Sequence, residues 1–568
     1  MAYDLVIKNA KIIDGSGLPA FSGDVAVQDG RIAEIGKIGD SAKRVINADG
    51  LVLSPGFIDH HTHMDAHLLW DPMATSSPFH GVTSVVTGNC GLSLMPCKPE
   101  DRPALVSSLS RVEAIPREVL ETAVDWQWGS VGQYLDNLDK NLGVNVASHV
   151  GHCAIRQYVM GEESSEREAT PAEIEEMKEA VRDAMRAGAI GFTTNQNPRH
   201  MRLDGKPVAS RMATTEEVLA LAGTVGEFNT GVIEAIRGNP AIEDIDWYAQ
   251  IAKASNRPVL WQVVLHMWNA PNKWRAQLDK LEESFASGVR PFGLTNANPL
   301  VRRFNMRNAQ AFDESPTWRE LMRQPMEARI EAFSTTEGRD KLREAFGEIP
   351  WDPNAPTWFD LFDIIGPVLP KNQHLKGKTV GEMAREQGKD ALDAFLDLVI
   401  EEEFETMFQR NVSHGDDNAV GEILRSPYVL IGVSDAGAHV AFDASFGYCT
   451  FLLAEWVRKR KLMTLEAAVN KLSFMVANIF GLRDRGLIRP GWFADLTLFD
   501  PETIGALEPE YTNDYPGGTT RMIQKSTGVY YTIVNGQVIA ENGEVTSARP
   551  GRVLRNSWYE AHNGTNGK

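Results

Sequence analysis

Eight short apolar runs recur along the middle of the chain, and helical segments lie between most of them. Most runs end in polar residues, and their last residues are His63, Cys90, His152, Thr194, Arg237, Val264, Thr295 and Asp435. Eight strand–helix units predict a (β/α)8 barrel of the TIM type, in which catalytic residues lie at the C-terminal ends of the strands. Because polar side chains fall at those ends here, the pattern favours an enzyme.

Both ends of the chain differ from this pattern. They contain short segments in which apolar and polar residues alternate, and Asp-Gly or Asn-Gly pairs, which are a hairpin signal, interrupt several of these segments. These segments lie at 4–15, 24–32, 494–500 and 530–539. So short a sheet at either end cannot bury enough surface alone. We therefore predict an α/β chain with a small β-sandwich domain built from residues 1–55 and 481–568, around a catalytic barrel at 56–480.

The connection between the seventh and eighth predicted strands, about 296–425, is oversized, aromatic and helical. Connections of this length in compact domains are usually functional. We expect a large helical insert that acts as a lid or binds substrate. An oligomerisation or packing insert is an equal alternative on this ground.

Composition and charge exclude several classes of protein. A net charge of −19 without a basic stripe excludes nucleic acid as a partner. No run approaches the 18 apolar residues of a membrane span, and the segment 1–4 lacks the basic and apolar regions of a signal peptide. Four scattered cysteines do not make a disulfide framework. We expect a cytoplasmic protein with no membrane partner, and its acidic surface is compatible with a homo-oligomer.

The first barrel strand runs into a cluster of histidines and aspartates at 59–65. Residues i and i+2 of a strand point to the same side, so His61 and His63 present two imidazoles on one face. Neutral imidazole nitrogens suit a divalent metal such as zinc. The alternative is a merely polar strand end, but a buried strand that ends in this cluster favours a metal site.

Several motifs together resemble the metal-dependent amidohydrolase superfamily, and within it the N-acyl-D-amino-acid deacylase (D-aminoacylase) branch. The superfamily resemblance rests on Pro-Gly-Phe-Ile-Asp-His-His-Thr-His at 55–63 and on the tail at 486–496. The branch resemblance rests on Asn-Cys-Gly at 89–91 and on the segment 151–156. It covers nearly the whole chain apart from the insert.

This resemblance implies a barrel with a β-sandwich and a metal-activated water that attacks an amide carbonyl. It implies that His61 and His63 are metal ligands and that Asp435 is both a ligand and the acid/base that carries protons to the leaving nitrogen. Cys90 matches a cysteine ligand, and Arg156 matches an arginine expected to bind the substrate carboxylate. Each role suits its chemistry, because thiolates bind zinc strongly and arginine makes bidentate contacts to carboxylates.

The chain departs from the branch at strands five and six. Ala235 stands where the D-aminoacylases carry a histidine, and no histidine is in register on the sixth strand. Glu234 lies one residue early and His266 a few residues late, and no lysine of strand four is placed to bridge two metals. Three alternatives therefore stay open. The site binds one zinc ion or two, it recruits Glu234 or His266 as a ligand, or it has lost the metal.

Three further histidines are candidate substrate-binding residues. His152 follows the third strand, His200 lies in a polar loop after the fourth, and His439 follows Asp435 by four residues. If the barrel forms, all three lie at its catalytic face. The alternatives are a satisfied core histidine for His152 and a solvated loop histidine for His200.

The leading hypothesis is a hydrolase that cleaves a linear amide, an N-acyl amino acid, with Arg156 and the aromatic insert holding the substrate. A cyclic-amide hydrolase of the dihydroorotase or hydantoinase kind is the second hypothesis, and the missing bridging lysine counts against it. The third is a metal-depleted binding protein. The retained polar cluster opposes that hypothesis, because such residues are costly to bury without a purpose.

Overall fold

The computed structural model describes residues 2–39, 41–238, 242–299, 301–307, 312, 315–349, 351, 355–411, 413–440 and 445–563. The strands are β1 Tyr3–Ile12, β2 Phe21–Gln28, β3 Arg31–Gly36, β4 Ala42–Asn47, β5 Val52–Pro55, β6 Phe57–Asp59, β7 Val82–Thr87, β8 Asn145–Gly151, β9 Gly191–Asn195, β10 Val232–Ile236, β11 Val259–Gln262, β12 Pro291–Thr295, β13 Val301–Phe304, β14 Phe362–Gly366, β15 Met407–Asn411, β16 Val429–Ile431, β17 Leu496–Phe499, β18 Gly505–Ala506, β19 Glu510–Tyr515, β20 Thr519–Ile523, β21 Ser526–Thr527, β22 Val529–Val534, β23 Gln537–Glu541 and β24 Glu544–Val545.

The α-helices are α1 Arg102–Val112, α2 Arg117–Ala123, α3 Val131–Leu138, α4 His152–Met160, α5 Pro171–Arg186, α6 Thr215–Gly226, α7 Asp244–Ser255, α8 Lys273–Ala286, α9 Pro316–Met322, α10 Met326–Ser334, α11 Thr336–Glu344, α12 Val380–Gln387, α13 Ala391–Glu401, α14 Asp417–Arg425, α15 Tyr448–Phe451, α16 Leu465–Leu472, α17 Phe474–Phe480 and α18 Ser557–Asn563. Capping explains several starts: Thr170 and Glu173 form a reciprocal capping box at the start of α5. Within the described part of the chain, no helix is both long and apolar enough to cross a membrane.

Eight parallel strands form the central sheet, in the order β16-β12-β11-β10-β9-β8-β7-β6. A parallel bridge between Thr62 and Ala436, just past β6 and β16, joins the two outer strands. The amide of His63 adds a hydrogen bond to the carbonyl of Ala436 at 2.8 Å. The sheet therefore closes on itself, which confirms the predicted (β/α)8 barrel.

The barrel is packed with apolar side chains, so it is a core and not a pore. One buried cluster takes a residue from nearly every strand, including Ile58, Val86, Ala147 and Leu260, together with Phe480 of α17. β16 ends at Ile431, earlier than the run that the sequence predicts to Asp435, because Val433 adopts a left-handed φ of 60°. The residues beyond it turn out of the sheet.

A second, nine-stranded sheet combines both ends of the chain. It contains β1 to β5 from the N-terminal end and β17 and β22 to β24 from the C-terminal end, and the two sets meet where β5 pairs with β17. The Asp-Gly turn between β2 and β3 has φ of 50° at Asp29 and 77° at Gly30. The Asn-Gly turn between β22 and β23 has 45° at Asn535 and 79° at Gly536. Positive φ at both central residues is the type I′ geometry that these dipeptides favour, so the hairpins at these two pairs are confirmed, whereas Asp14-Gly15 lies in the longer connection between β1 and β2.

The chain divides into two compact units. One comprises Met1–Val264, Gln277–Asn298 and Gly421–Lys568, and the other comprises Leu265–Ala276 and Pro299–Val420. The second unit overlaps the predicted insert at 296–425, but nothing in the sequence indicates that 265–276 belongs with it. Some residues of the predicted domains and insert lie outside the described residues, namely 1, 40, 239–241, 300, 308–311, 313, 314, 350, 352–354, 412, 441–444 and 564–568.

The second unit has its own aromatic core between α9 to α13 and the three-stranded sheet β13-β15-β14. Trp318 stacks on Phe312 with ring centroids 4.4 Å apart, and Phe333 and Phe362 are also fully buried. These aromatic side chains pack on one another. Phe346 and Trp351 are only partly buried, and the expectation that the insert holds an acyl group stays a prediction.

Candidate metal centre

His61 and His63 lie just beyond the C-terminal end of β6, and both side chains are buried. Their ring centroids are 5.3 Å apart. His60 between β6 and this pair points the other way, with its Nε2 3.2 Å from the carbonyl oxygen of Ile431. Burial, followed by the charge of His61, lowers the pKa of His63 to about 3, so this imidazole is neutral at pH 7 and offers a lone pair.

Cys90 meets the histidine pair from the turn that follows β7. Its Sγ lies 3.5 Å from Nε2 of His61, and one ligand atom each from His61, His63 and Cys90 all lie within 4.8 Å of one another. Gly88 makes this approach possible, because a Cβ there would stand only 2.4 Å from the carbonyl oxygen of His149. The three side chains form a compact set of nitrogen and sulfur donors.

Asp435 reaches the same place from beyond β16. Its Oδ1 lies 3.2 Å from Nε2 of His61 and 3.8 Å from Nε2 of His63. Burial opposes ionisation, but the hydrogen bond and charge of His61 outweigh it and lower the pKa of Asp435 to about 2. Its side chain is 36% exposed, whereas those of both histidines are almost fully buried. Asp435 is therefore the cluster's charged and accessible group.

Backbone strain coincides with these candidate residues. Cys90, Asp435 and His439 have φ of 55°, 49° and 56°, in the left-handed region that non-glycine residues rarely adopt. Each such conformation costs on the order of 1 kcal/mol and persists where the surrounding structure enforces it. Strained residues concentrate at functional sites, so the three positive φ angles support the interpretation of these residues as part of a functional site.

Glu234 of β10 holds two of the candidate ligands at once. One carboxylate oxygen lies 3.1 Å from Nδ1 of His61, and the other accepts the backbone N–H of Cys90 at 3.1 Å. A carboxylate at Nδ1 keeps a proton on that nitrogen, so Nε2 is the atom that faces Cys90 and Asp435. Glu234 contacts both His61 and Cys90, and its predicted role as a possible ligand stays a prediction.

Gln262, the last residue of β11, also contacts the ring of His61. Its side-chain nitrogen lies 2.9 Å from Nε2 and 3.2 Å from Nδ1 of that histidine. Ala235 of β10, beside Glu234, is fully buried. The two strand ends that lack the expected histidines therefore supply a carboxylate and an amide to His61.

Glu113 lies beside this cluster, and the sequence analysis does not identify it. It follows α1, it is 3% exposed, and its Oε2 lies 3.5 Å from Nε2 of His63 and 3.8 Å from Nε2 of His439. Its carbonyl oxygen accepts the backbone N–H of His439 at 2.6 Å. Burial, followed by the charge of Asp435, raises the pKa of Glu113 well above its usual range. No sequence signal marks Glu113, because it follows helix α1 and not one of the barrel strands.

The charge of this cluster is unbalanced. Among the described residues, no lysine or arginine lies within ion-pair distance of Glu113, Glu234 or Asp435, whose ionic partners are histidines alone. Buried carboxylates without a cation are costly, and a bound divalent metal would neutralise them. Metal–ligand bonds of 2.0–2.3 Å place tetrahedral ligand atoms about 3.3–3.7 Å apart. Three of the donor separations are close to these values: 3.2 Å from His61 to Asp435, 3.5 Å from Cys90 to His61 and 3.8 Å from His63 to Asp435.

Arg156 and His152 form a separate cluster with Glu217. The guanidinium of Arg156 is fully buried, and Nη1 donates to both carboxylate oxygens of Glu217. Its remaining N–H groups donate to the carbonyls of Ser164 and Arg167. These contacts engage every N–H group of the guanidinium, and the predicted role of Arg156 in binding the substrate carboxylate stays a prediction.

His152, like Arg156, has all its side-chain polar atoms engaged by other residues of the protein. Its Nε2 lies 2.8 Å from Glu217 and its Nδ1 2.9 Å from the hydroxyl of Thr194. Both ring nitrogens of this fully buried histidine are therefore engaged. These contacts favour the alternative of a satisfied core histidine, and its predicted contact with substrate stays a prediction.

His200 and His439 flank the metal-ligand cluster. Nδ1 of His200 lies 2.7 Å from the side-chain amide of Asn195, and burial, with the charges of Arg199 and His439, lowers the pKa of His200 to about 4. The side chain of His439 is 29% exposed. Their predicted contact with substrate stays a prediction.

His266 belongs to the second compact unit. Its ring packs edge-on against Trp268, with centroids 5.1 Å apart. It is not part of the described group formed by His61, His63 and Cys90. Its predicted role as a metal ligand stays a prediction.

Known proteins are similar to this chain in sequence and in fold. The model of the Amidohydrolase family matches residues 44–540. D-aminoacylase of Alcaligenes xylosoxydans xylosoxydans is 29% identical over 560 residues, which cover 97% of this chain and 97% of that protein. The structure of N-acyl-D-glutamate deacylase from Bordetella bronchiseptica, complexed with zinc and a phosphonate mimic of the tetrahedral intermediate, has a TM-score of 0.66 and 25% identity, covering 98% of this chain and 100% of that one. A D-aminoacylase structure concerned with one-metal activation and second-metal attenuation of a binuclear centre has a TM-score of 0.65 and 26% identity, covering 97% and 100%.

Proposed function

The chain belongs to the amidohydrolase family, and we propose that it is a metal-dependent hydrolase of a linear amide, an N-acyl amino acid. The products are a carboxylate and an amine. The observation that carries the proposal is the buried group of His61, His63 and Cys90 with the accessible carboxylate of Asp435 beside it, whose spacing and uncompensated charge suit a divalent cation. The likeness to D-aminoacylase along 97% of the chain supports the substrate class.

His61, His63, Cys90 and Asp435 would hold the metal, and zinc fits a set of imidazole, thiolate and carboxylate donors. When bound, such an ion lowers the pKa of water toward neutrality and polarises a carbonyl oxygen. We propose one ion. Support comes from strands β10 and β11, where Glu234 and Gln262 contact His61 instead of presenting further histidines.

The protein's own residues carry the proton. Asp435 accepts a proton from the attacking water at its carboxylate, which is ionised and accessible. It returns that proton to the amide nitrogen as the carbon–nitrogen bond breaks, so the amine leaves neutral. Glu234 keeps the ring of His61 in place throughout, because its carboxylate binds Nδ1 on the far side of the ring.

Substrate contacts fall to groups at the rim of the cluster. His200 and His439 are the candidates in this proposal, since Arg156 and His152 are already engaged with Glu217. A cytoplasmic location, a homo-oligomeric assembly and the absence of nucleic-acid and membrane partners stay predictions from the sequence.

Metal content per chain tests the proposal, with the wild type beside the His61→Ala/His63→Ala variant. The matched control is His374→Ala/His562→Ala, because both of these histidines are exposed. We expect about one zinc per chain in the wild type and the control, and none in the first variant. Asp435→Asn should then lose about 10²–10⁴-fold in kcat on N-acyl amino acids.

A panel of linear and cyclic amides separates this function from that of a hydantoinase-like enzyme. Turnover of cyclic amides alone would replace the substrate class but keep the mechanism. A wild type that binds no metal even when zinc is supplied would remove the mechanism and favour a binding protein.

A further inference from the structure

Glu113 is a carboxylate that every local factor disfavours. It caps the C-terminal end of α1, where the helix dipole and free carbonyl groups repel negative charge. It is 3% exposed, so water does not solvate it. Within the described residues its Oε1 has no hydrogen-bond partner, and no lysine or arginine forms an ion pair with it. A carboxylate in such surroundings is stable only beside a cation.

The other oxygen of Glu113 indicates where that cation binds. Oε2 lies 3.5 Å from Nε2 of His63, which equals the separation of Sγ of Cys90 from Nε2 of His61. Adjacent ligand atoms on one metal ion are separated by about this distance, and zinc can expand its coordination beyond four ligands. The backbone holds Glu113 at this position, because the N–H of His439 donates to its carbonyl at 2.6 Å.

We propose that Glu113 is a further ligand of the metal, supplied by the end of helix α1 and not by a barrel strand. The inference rests on the proposed function and adds a carboxylate on the side of His63. Since His439 follows Asp435 by four residues, its contact with Glu113 ties the end of α1 to the segment that carries Asp435. Binding of the metal would thereby fix the helix end and this segment together.

A structural role would give a different result from a ligand role. If Glu113 were a neutral carboxyl that only packs, glutamine would replace it with little effect, because the two side chains have the same shape. If Glu113 binds the metal as a carboxylate, glutamine removes the charge that attracts the ion. Glu113→Gln therefore distinguishes the two, and Glu118→Gln is the matched control, since Glu118 is exposed and only five residues away.

The experiment titrates Zn²⁺ into metal-free wild type, Glu113→Gln and Glu118→Gln in competition with a chromophoric chelator. We expect affinity to fall by at least about 10-fold in Glu113→Gln and to be unchanged in Glu118→Gln. The visible absorption of the Co²⁺-loaded protein should change in Glu113→Gln alone. Metal-free Glu113→Gln should melt near the temperature of the metal-free wild type, because the two side chains have the same shape, while its gain in melting temperature on adding zinc should be smaller.

Equal zinc affinity and an unchanged Co²⁺ spectrum in Glu113→Gln would overturn the inference and leave the proposed function intact. Failure of the wild type itself to bind metal would overturn both. Glu113→Asp serves as the conservative variant and should retain affinity between those of the wild type and Glu113→Gln. If glutamine prevents folding, an aspartate variant with wild-type affinity and spectrum would equally overturn the inference.

Discussion

Two buried carboxylates of the barrel, Glu217 and Glu113, have opposite surroundings. Glu217 accepts from Arg156 and from His152, and all three form what we call the saturated cluster. Glu113 has histidines as its only described ionic partners and leaves one oxygen without a hydrogen bond. It belongs to the unsaturated cluster of His61, His63, Cys90, Glu113, Glu234 and Asp435.

The comparison teaches how to distinguish structural from functional polar residues. Both clusters are buried and rich in histidine and carboxylate, and the sequence analysis assigned members of both to the site. In the saturated cluster the donors and acceptors cancel within the protein. In the unsaturated cluster they do not, and the remainder is negative charge that a metal would neutralise.

Breaking the saturated cluster should give the largest effect on stability. Arg156→Met leaves Glu217 charged, buried and without its ion-pair partner, which costs about 3–5 kcal/mol. We expect a lower urea midpoint with metal content per chain unchanged. The double variant Arg156→Met/Glu217→Leu should recover much of the loss, because it removes both charges. A tenfold rise in KM for an N-acyl amino acid at unchanged stability would instead return Arg156 to substrate binding.

Loosening the unsaturated cluster should weaken metal binding with a smaller effect. Glu234→Gln presents an amide to Nδ1 of His61 and removes the charge that orients this ring. We expect about 10–100-fold weaker zinc affinity, measured by chelator competition. Glu216→Gln, an exposed neighbour of Glu217 on α6, is the control and should bind as the wild type does. Wild-type affinity in Glu234→Gln would count against the orienting role.

A buried histidine outside both clusters should give the smallest effect at pH 7. Burial lowers the pKa of His80 to about 4, below the 6.5 of an unfolded chain. The unfolded state therefore binds more protons between these values, and the stability that neutral His80 provides is complete above about pH 6.5 and lost as the pH falls toward 4.

His80→Gln should therefore show a smaller drop in melting temperature between pH 7 and pH 5 than the wild type. At pH 7 the change should be within about 1 kcal/mol, since glutamine can keep polar contacts to Thr450 and Gln524. Identical pH profiles for the two proteins would show that His80 does not contribute to acid sensitivity.

Much of the fold could be predicted from local pattern. α5 is one of the helical segments expected between the barrel strands, because its capping box and apolar face are local signals. The eight barrel strands and both glycine turns follow for the same reason. The segment 265–276 could not be assigned to the second unit, since its partners lie far away in the chain.

The site was predicted only where its residues follow the strand ends. His61, His63, Cys90 and Asp435 lie there, and the structure brings them together. Glu216 and Glu217 are adjacent and chemically identical in the sequence, yet the first is exposed and the second fully buried against Arg156. Glu113 likewise meets His439 only through the folded chain. Such pairings depend on long-range contacts that periodicity does not encode.

The sheet built from both chain ends has a consequence for synthesis on the ribosome. β5 pairs with β17 in the register Val52 to Phe499, so the partner strand is translated roughly 440 residues later. At about 5–20 residues per second, that delay is about 20–90 s. Throughout it the nascent N-terminal strands expose an unpaired edge just before the histidine pair. One edge of β5 therefore stays unpaired until β17 has been synthesised.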